Sequence, residues 1–519
     1  MKKTGGIIIR RAVCALTNMH LGGAAGRILT ANETNWLHVL LTDDPGLFDG
    51  FIDRDDDSIF KTMWHGEFPG KLLTGIAQTY LLNNDPETKR VDDAIAGKLK
   101  EVQEPDGYLG PWKKSVRYEA DVAPGSWGKW DTWGQYHFIA GGISIAAQNW
   151  AECNLAIGHA FALFYEETGE KRYLDAAVRI VDNDWNDEYP DFYSKKTLCC
   201  GWLNAALEGR AYYESGQPRW EGLYALETLA SLYRITGEER FLRGLDGLWH
   251  GMRDNDRHNT GSFGTGEGAT GDPFGAGSET CNTVAWMAFS TEYLKVTRDM
   301  SCCQANGNRG ISQIAEWAVL SGRNELYLNY YGECSLETVL ENGHKIVLTQ
   351  ETEYPADGAV NIKIDTGCPD ELTLYFRIPS WSVNTVLTVN GEAVNAEAGS
   401  YCAVKRVWKS GDSVRLVLDM SPHFLVNDAV KPVYISVYYG PLLLAFRTGS
   451  GLSRNTPFNI EALRKMVRVE GDDLVNFRVS SASGQSVVLT DYYSAGKDGD
   501  NYTSWLCCDS TSQFSSGQF

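Results

Sequence analysis

Between about Asn32 and Leu320, apolar residues recur at helical spacing, as in Leu72, Ile76 and Tyr80 and again in Leu155, Ala156, His159, Ala162 and Leu163. Positions i, i+3, i+4 and i+7 line one face of an α-helix, so this part of the chain predicts amphipathic helices. Several of these helices end alike. Tyr165-Glu166-Glu167-Thr168-Gly169-Glu170-Lys171-Arg172-Tyr173-Leu174 returns 68 residues later as Tyr233-Arg234-Ile235-Thr236-Gly237-Glu238-Glu239-Arg240-Phe241-Leu242, and more faintly at Tyr293-Leu294-Lys295-Val296-Thr297. Glycine accepts the left-handed conformation that closes a helix, the acidic residues suit the next helix's first turn, and the aromatic-leucine pair re-enters the core. Each segment reads as a joint between two helices, and a succession of such hairpins predicts an α/α toroid or solenoid. A ring closes its own core and leaves a pocket at one end, which favours an enzyme over an extended binding surface.

Past about Asn324 the period changes to two, in runs such as Glu325-Leu-Tyr-Leu-Asn-Tyr, Lys345-Ile-Val-Leu-Thr, Asn361-Ile-Lys-Ile, Leu372-Thr-Leu-Tyr-Phe and Ser413-Val-Arg-Leu-Val-Leu. These are strands, and turn signals at Asn390-Gly391 and Ser410-Gly411-Asp412 separate them into an antiparallel sandwich. The expected organisation is a helical barrel domain over residues 1–322 followed by a β-sandwich region over residues 323–519. Thirteen of the sixteen tryptophans precede residue 322, so most of the flat aromatic surface belongs to the helical part, as core filling or as sugar-stacking platforms.

Composition narrows the partners. With 47 Lys and Arg against 67 Asp and Glu the formal charge is -20, which repels polyphosphate, so nucleic acid is not an expected partner. No apolar run reaches the ~20 residues of a membrane span, and the run Gly6 to Ile9 is short of the ~7 to 15 residues of a signal-peptide core. Twelve cysteines include three adjacent pairs, and neighbouring residues sit too close for the usual disulfide geometry. Free thiols or metal ligands in a reducing, cytoplasmic setting follow, with a secreted chain as the alternative. Cys199-Cys200 and Cys507-Cys508 lack histidine neighbours and read as ordinary thiols, which leaves Cys302-Cys303 as the pair of interest.

Chemistry concentrates between Arg257 and Arg309. His258-Asn-Thr-Gly-Ser-Phe-Gly-Thr-Gly-Glu267 is glycine-rich, and Ser278-Glu279-Thr280-Cys281 precedes the apolar positions Val284, Met287, Ala288, Thr291 and Leu294. Ser278 is then the expected N-cap, with Glu279 and Cys281 in the first helical turn. One carboxylate and three thiols, Glu279, Cys281, Cys302 and Cys303, would suit tetrahedral zinc, although this register is not that of a zinc finger and ordinary thiols remain open. A helix unbroken to Thr297 would lead ~24 Å away from Cys281, while five extended residues return at most ~17 Å. The expectation is a compromise: the helix stops before Thr297, or Cys302 and Cys303 lie too far from Cys281 to share a metal.

Together with these motifs, Asn35-Trp36 through Asp53-Arg54-Asp55, Trp64-His65-Gly66-Glu67-Phe68-Pro69-Gly70-Lys71, Asp106-Gly107-Tyr108-Leu109-Gly110-Pro111-Trp112 and Trp133-Gly134-Gln135-Tyr136-His137 resemble the β-L-arabinofuranosidases of glycoside hydrolase family 127. In the strand-rich part, Arg377-Ile-Pro-Ser-Trp381, Val389-Asn390-Gly391-Glu392, Trp408-Lys-Ser-Gly411-Asp412 and Tyr439-Gly440-Pro441-Leu442 carry the same likeness. The resemblance implies an (α/α)6 barrel followed by a β-sandwich, and an oligosaccharide substrate. It implies zinc on Glu279, Cys281, Cys302 and Cys303, with Cys302 as nucleophile and Glu267 as general acid/base of a retaining hydrolase. His137 matches a pocket histidine, Trp64 and Trp133 are candidate stacking platforms, and His65 is a candidate at the pocket rim or a structural residue. Two connections, between Thr297 and Ser301 and between His137 and Asn154, are shorter than the family pattern and weigh against activity. The alternatives are a catalytically impaired carbohydrate-binding relative and a lyase or epimerase on the same toroid; a homodimer is left open.

Overall fold

The computed structural model describes residues 12–13, 16–43, 46–59, 61, 65–117, 131, 155–183, 185, 188–190, 197–199, 201–215, 220, 222–264, 268–273, 278–296, 314–340, 342–427, 432–449 and 452–509. The chain divides into two compact units, the first ending at Gly322 and the second running from Arg323, with Leu21–Gly23 grouped with the second. The longer helices of the first unit are α1 (Gly23–Asn32), α2 (Phe68–Asn83), α3 (Pro86–Val102), α4 (Ile157–Thr168), α5 (Lys171–Asp182), α6 (Gly222–Thr236), α7 (Glu239–Asn255) and α8 (Thr280–Val296). No helix among the described residues is long and apolar enough to cross a membrane.

The repeated joints fold as the residues dictate. Gly169 and Gly237 take φ of 70° and 73°, and their N–H groups donate to the carbonyls of Tyr165 and Tyr233 at 2.8 and 2.9 Å. One residue on, the N–H groups of Glu170 and Glu238 donate to the hydroxyls of Thr168 and Thr236, both at 3.2 Å. The same local chemistry therefore joins α4 to α5 and α6 to α7. Leu163, placed on the apolar face by its spacing, is instead 37% exposed, because α4 turns its last two turns towards solvent.

Helix α8 departs from the one-faced pattern expected of it. Every residue from Asn282 to Tyr293 is buried, polar Asn282, Thr283, Ser290, Thr291 and Glu292 included, and α6 is likewise buried from Gly222 to Ile235. Helices covered on all sides must satisfy their polar groups internally. Arg234 of α6 does so for three helices at once. Its guanidinium donates to Glu292 of α8 at 2.6 Å, to Glu166 of α4 at 3.2 and 3.3 Å, and to the Ser231 hydroxyl at 2.8 Å. Burial opposes the charge, but the two carboxylates outweigh it and hold Arg234 protonated.

The second unit is built of sheets. Glu325–Leu328, Glu371–Ile378 and Ser400–Val407 lie side by side, and a second set runs Glu392–Val394, Val386–Val389, Ser413–Val417, Ala359–Thr366, Lys345–Thr352, Cys334–Val339. In Glu371–Ile378 the residues Leu372, Leu374, Phe376 and Ile378 point to the core and alternate with half-buried ones. Asn390 and Gly391 both have positive φ, 50° and 87°, the two-residue turn that closes Val386–Val389 onto Glu392–Val394. A further sheet at the C-terminal end packs Ile435, Val437, Phe446, Phe458 and Leu489 into its own core. The pairing is not wholly antiparallel as expected: Glu371–Ile378 runs parallel to Glu325–Leu328, and Pro457–Phe458 parallel to Leu506–Cys508. Each parallel pair joins strands distant in sequence, which no turn signal announces. Cys507 and Cys508 are buried in the strand Leu506–Cys508 and form no disulfide.

Removing Arg234 leaves two carboxylates facing each other with no cation, so Arg234→Leu should cost about 3–5 kcal/mol. Urea unfolding should show a lower midpoint with unchanged slope, and adding Glu292→Leu should recover part of the loss. A midpoint unmoved by Arg234→Leu would remove this ion network from the account of the helical core.

Candidate active site

The site region begins with a column of aromatic rings. Trp249 of α7 stacks on Trp286 of α8 at 5.5 Å and on Tyr293 at 4.9 Å, and its indole N–H donates to the Ser290 hydroxyl at 3.0 Å. Trp286 in turn meets Phe263 at 4.9 Å, and Phe263 meets Trp220 at 4.7 Å. Phe263 is fully buried and belongs to the short strand Phe263–Gly264, which pairs antiparallel with Ser278–Glu279 so that Phe263 stands opposite Glu279. The tryptophans in this column fill core rather than present a stacking face.

This ribbon corrects the expectation for the helix start. Ser278 and Glu279 are strand residues and α8 begins at Thr280, so Ser278 is not an N-cap and Glu279 precedes the first turn instead of lying in it. The pairing with Phe263–Gly264 claims the backbone that a cap would have used. Cys281 does lie in the first turn. Helix α8 continues to Val296, so from Cys281 it advances about 22 Å, and the return to Cys302 lies outside the described residues.

Glu267, the candidate acid/base, also lies outside the described residues, but its two flanks do not. Gly264 is held in the ribbon and Ala269 is fully buried. Trp64, Trp133, His137, Cys302 and Cys303 lie outside the described residues as well. His65 is described: its ring packs against Phe51 at 6.1 Å and Phe68 at 5.8 Å, at the start of α2.

Around the Asp106-Gly107-Tyr108-Leu109-Gly110 motif, Arg54 donates to the carbonyls of Gly110 and Val102 at 2.6 and 2.5 Å, and Arg117 lies over the Tyr108 ring at 3.6 Å. The Tyr108 hydroxyl donates to buried Asp131 at 2.9 Å, two residues before Trp133. One pair was not legible from periodicity. His159, read as core, stands with Nδ1 3.1 Å from the Glu227 carboxylate, both side chains buried between α4 and α6. A glutamate in the middle of the apolar run Leu223 to Ile235 was the available signal. Glu33, His38 and Asp85 also bring three metal-capable atoms together. Those atoms are already engaged: Glu33 accepts from Asn83 and Thr88 at 2.7 and 2.8 Å, and Asp85 caps α3 through the Thr88 N–H at 2.9 Å. The group is a helix-hairpin clasp.

A helical unit with a cysteine at a strand-to-helix junction is thus followed in the chain by a unit of sheets, and comparison with known proteins places this arrangement among the glycoside hydrolases. Residues 32–149 and 146–306 match the model of the GH127 β-L-arabinofuranosidase catalytic domain, and residues 325–420 match that of the GH127 middle domain. The chain belongs to glycoside hydrolase family 127, and it is a glycosidase. A non-reducing end β-L-arabinofuranosidase of Bifidobacterium longum subsp. longum is 22% identical, over 75% of this chain and 76% of its own length. Among solved structures, a GH127 β-L-arabinofuranosidase from Geobacillus stearothermophilus T6 matches with a TM-score of 0.73 over 95% of this chain and all of its own, at 18% identity. A GH127 β-arabinofuranosidase matches with a TM-score of 0.70 over 96% of this chain and 98% of its own, also at 18% identity. These likenesses show the fold: a helical N-terminal region and an all-β C-terminal region.

Phe263 ties the ribbon to the aromatic column, so Phe263→Ala should destabilise the helical unit by about 3–5 kcal/mol, and Phe263→Leu by less. Tryptophan fluorescence of Trp220 and Trp286 followed through thermal unfolding reads the loss. An unchanged midpoint in Phe263→Ala would show that the ribbon is held by something else.

Proposed function

We propose that this chain is a retaining β-L-arabinofuranosidase acting on plant cell-wall-type glycans in a reducing compartment, with Cys302 as nucleophile and Glu267 as general acid/base. The observation that carries the reading is the catalytic-domain match over residues 32–306, which takes in both residues, joined to the strand-to-helix junction that sets Glu279 and Cys281 two positions apart. The substrate follows from the relatives' names, and we read the helical unit as an (α/α)6 barrel. The donor set of one carboxylate and three thiols, Glu279, Cys281, Cys302 and Cys303, fits zinc by its chemistry. Zinc bound there would keep the thiols ionised at neutral pH.

The residues then divide the work. The Cys302 thiolate attacks the anomeric carbon, the bond to the leaving oxygen breaks, and Glu267 gives that oxygen its proton. Water attacks the same carbon in the second step, Glu267 takes the water proton, the carbon–sulfur bond breaks and the thiolate is restored. Two displacements at one carbon retain its configuration. His137 hydrogen-bonds a sugar hydroxyl, Trp64 and Trp133 stack on the ring, and His65 stands at the pocket rim, packed against Phe51 and Phe68. The lyase and epimerase alternatives fall with membership of a glycosidase family.

Protein purified without chelator should contain about one zinc per chain, lost in Cys281→Ser and Cys303→Ser. Cys302→Ser should abolish turnover of every arabinofuranoside, whereas in Glu267→Gln the first displacement, read as kcat/KM, should fall least on substrates with good leaving groups, whose departure needs no protonation. Absence of zinc would sink the ligand assignment, and zinc-replete protein that turns over no furanoside would restore the carbohydrate-binding reading.

A further inference from the structure

The C-terminal sheet carries a cleft that the chemistry above does not use. The strands Val467–Arg468 and Asn476–Ser480 pair antiparallel, and the Val469 N–H extends that pairing to the Asn476 carbonyl at 2.9 Å. A cavity of about 360 Å³ is lined by this hairpin's own residues from Arg468 to Asn476, Asp472 excepted. The loop is fixed at several points. Val475 is tied to Asp491 twice, its N–H donating to the carboxylate at 3.2 Å and its carbonyl accepting from the Asp491 N–H at 3.3 Å. Asp473 is gripped by Arg447 through two bonds of 3.2 Å and by Lys497 at 2.7 Å. Burial opposes the Asp473 charge, but Arg447 and Lys497 outweigh it and hold the carboxyl down to about 2. The Arg468 guanidinium is steadied by the Ala356 carbonyl at 3.0 Å. The cavity is thus formed before any ligand arrives.

Asn476 is the anomaly in its lining. It opens a strand, is only 6% exposed, and its side-chain amide has no hydrogen-bond partner among the described residues. Burying an unpaired amide is costly, so such a group calls for something that completes it. Gly471 lies against it, and a Cβ there would collide with the amide nitrogen, so glycine leaves the amide its room. Glu470 is exposed and likewise has no hydrogen bond or ion pair among the described residues.

The charges decide what fits. An anion would meet Glu470 and Asp473. A divalent cation would meet Arg468, with Glu470 as the one uncommitted carboxylate of the lining, far short of the ~6 to 8 oxygens that calcium takes. An uncharged ligand rich in hydroxyls suits both kinds of group, because each hydroxyl can donate to Glu470 or accept from Asn476 and Arg468. Its C–H faces would lie on Val469, Leu474 and Val475. A pentose or hexose unit has that pattern, and the volume sits at the small end of the ~300–1,000 Å³ of ligand sites.

We propose that this cleft is a non-catalytic sugar-binding site that holds one neutral pentose or hexose unit, with Asn476 and Arg468 donating to its hydroxyls and Glu470 accepting from them. It uses none of the residues assigned to the reaction, so it stands whether or not Cys302 and Glu267 keep their roles.

The test uses the full chain with carbon-13 in its valine and leucine methyl groups, so that Val469, Leu474 and Val475 report on the cleft by NMR. At least one of L-arabinose, D-galactose and an arabinose-containing oligosaccharide, each titrated alone, should shift these signals saturably with a Kd of the order of 1 mM. An oligosaccharide that binds more tightly than either free sugar identifies a glycan chain as the occupant, and one that does not identifies the free sugar; both support the site. Glu470→Ala and Asn476→Ala should each weaken binding about tenfold and leave kcat/KM on nitrophenyl β-L-arabinofuranoside unchanged. Should Asn476→Ala not fold, Glu470→Ala, at an exposed position with no partner to lose, carries the same readings. No saturable shift up to about 100 mM sugar, or binding unaltered in Glu470→Ala, overturns the proposal. So does displacement of the same signals by calcium or phosphate in place of sugar. A fall in kcat/KM that matches the loss of binding overturns the non-catalytic assignment.

Discussion

The structure turns on one helix that has no solvent face. Because α8 is buried from Asn282 to Tyr293, it can neither slide nor rotate without unpacking its neighbours. One end is locked by charge, Glu292 on Arg234, and the length of the helix is locked by stacking of Trp286 and Tyr293 on Trp249. The other end opens directly onto Glu279 and Cys281. Ribbon and cysteine-bearing turn both hang from this fixed axis, so the rigidity of the core is passed on to the candidate site.

Where the sequence could be read, the cause was local. Thr168-Gly169-Glu170 and Thr236-Gly237-Glu238 carry all the chemistry of their turns within three residues, and both fold as that chemistry requires. Asn390-Gly391 likewise specifies its own hairpin. Where the reading failed, the cause was distant. Ser278 has the side chain of an N-cap, but its backbone is claimed by a partner fourteen positions upstream, Gly264. The parallel pairing of Glu325–Leu328 with Glu371–Ile378 depends on a crossover that leaves no local signature.

The candidate site residues were read in a different way. Glu279 and Cys281 became candidates through the acid-and-thiol composition of their segment and through resemblance, and no periodicity marks them. Glu227 and Asp256 went unread because a carboxylate's neighbours, not its spacing, reveal its function: one meets His159, the other two backbone amides. A buried acid within an apolar helix or at its C-terminal end is therefore the feature to look for in related chains, since each contradicts a local preference that the fold must compensate.

The central claim is that sulfur on Cys302 carries the sugar between the two displacements. Glu267→Gln protein, mixed with an activated β-L-arabinofuranoside, quenched in acid at early times and digested for peptide mass spectrometry, tests it directly. In this variant an activated leaving group departs unaided while deglycosylation lacks its base, so the intermediate accumulates. The account predicts a mass increase of one pentosyl group on the peptide holding Cys302, assigned by fragmentation to Cys302. A pentosyl group on any carboxylate, or no adduct together with an inverted first product, would contradict it.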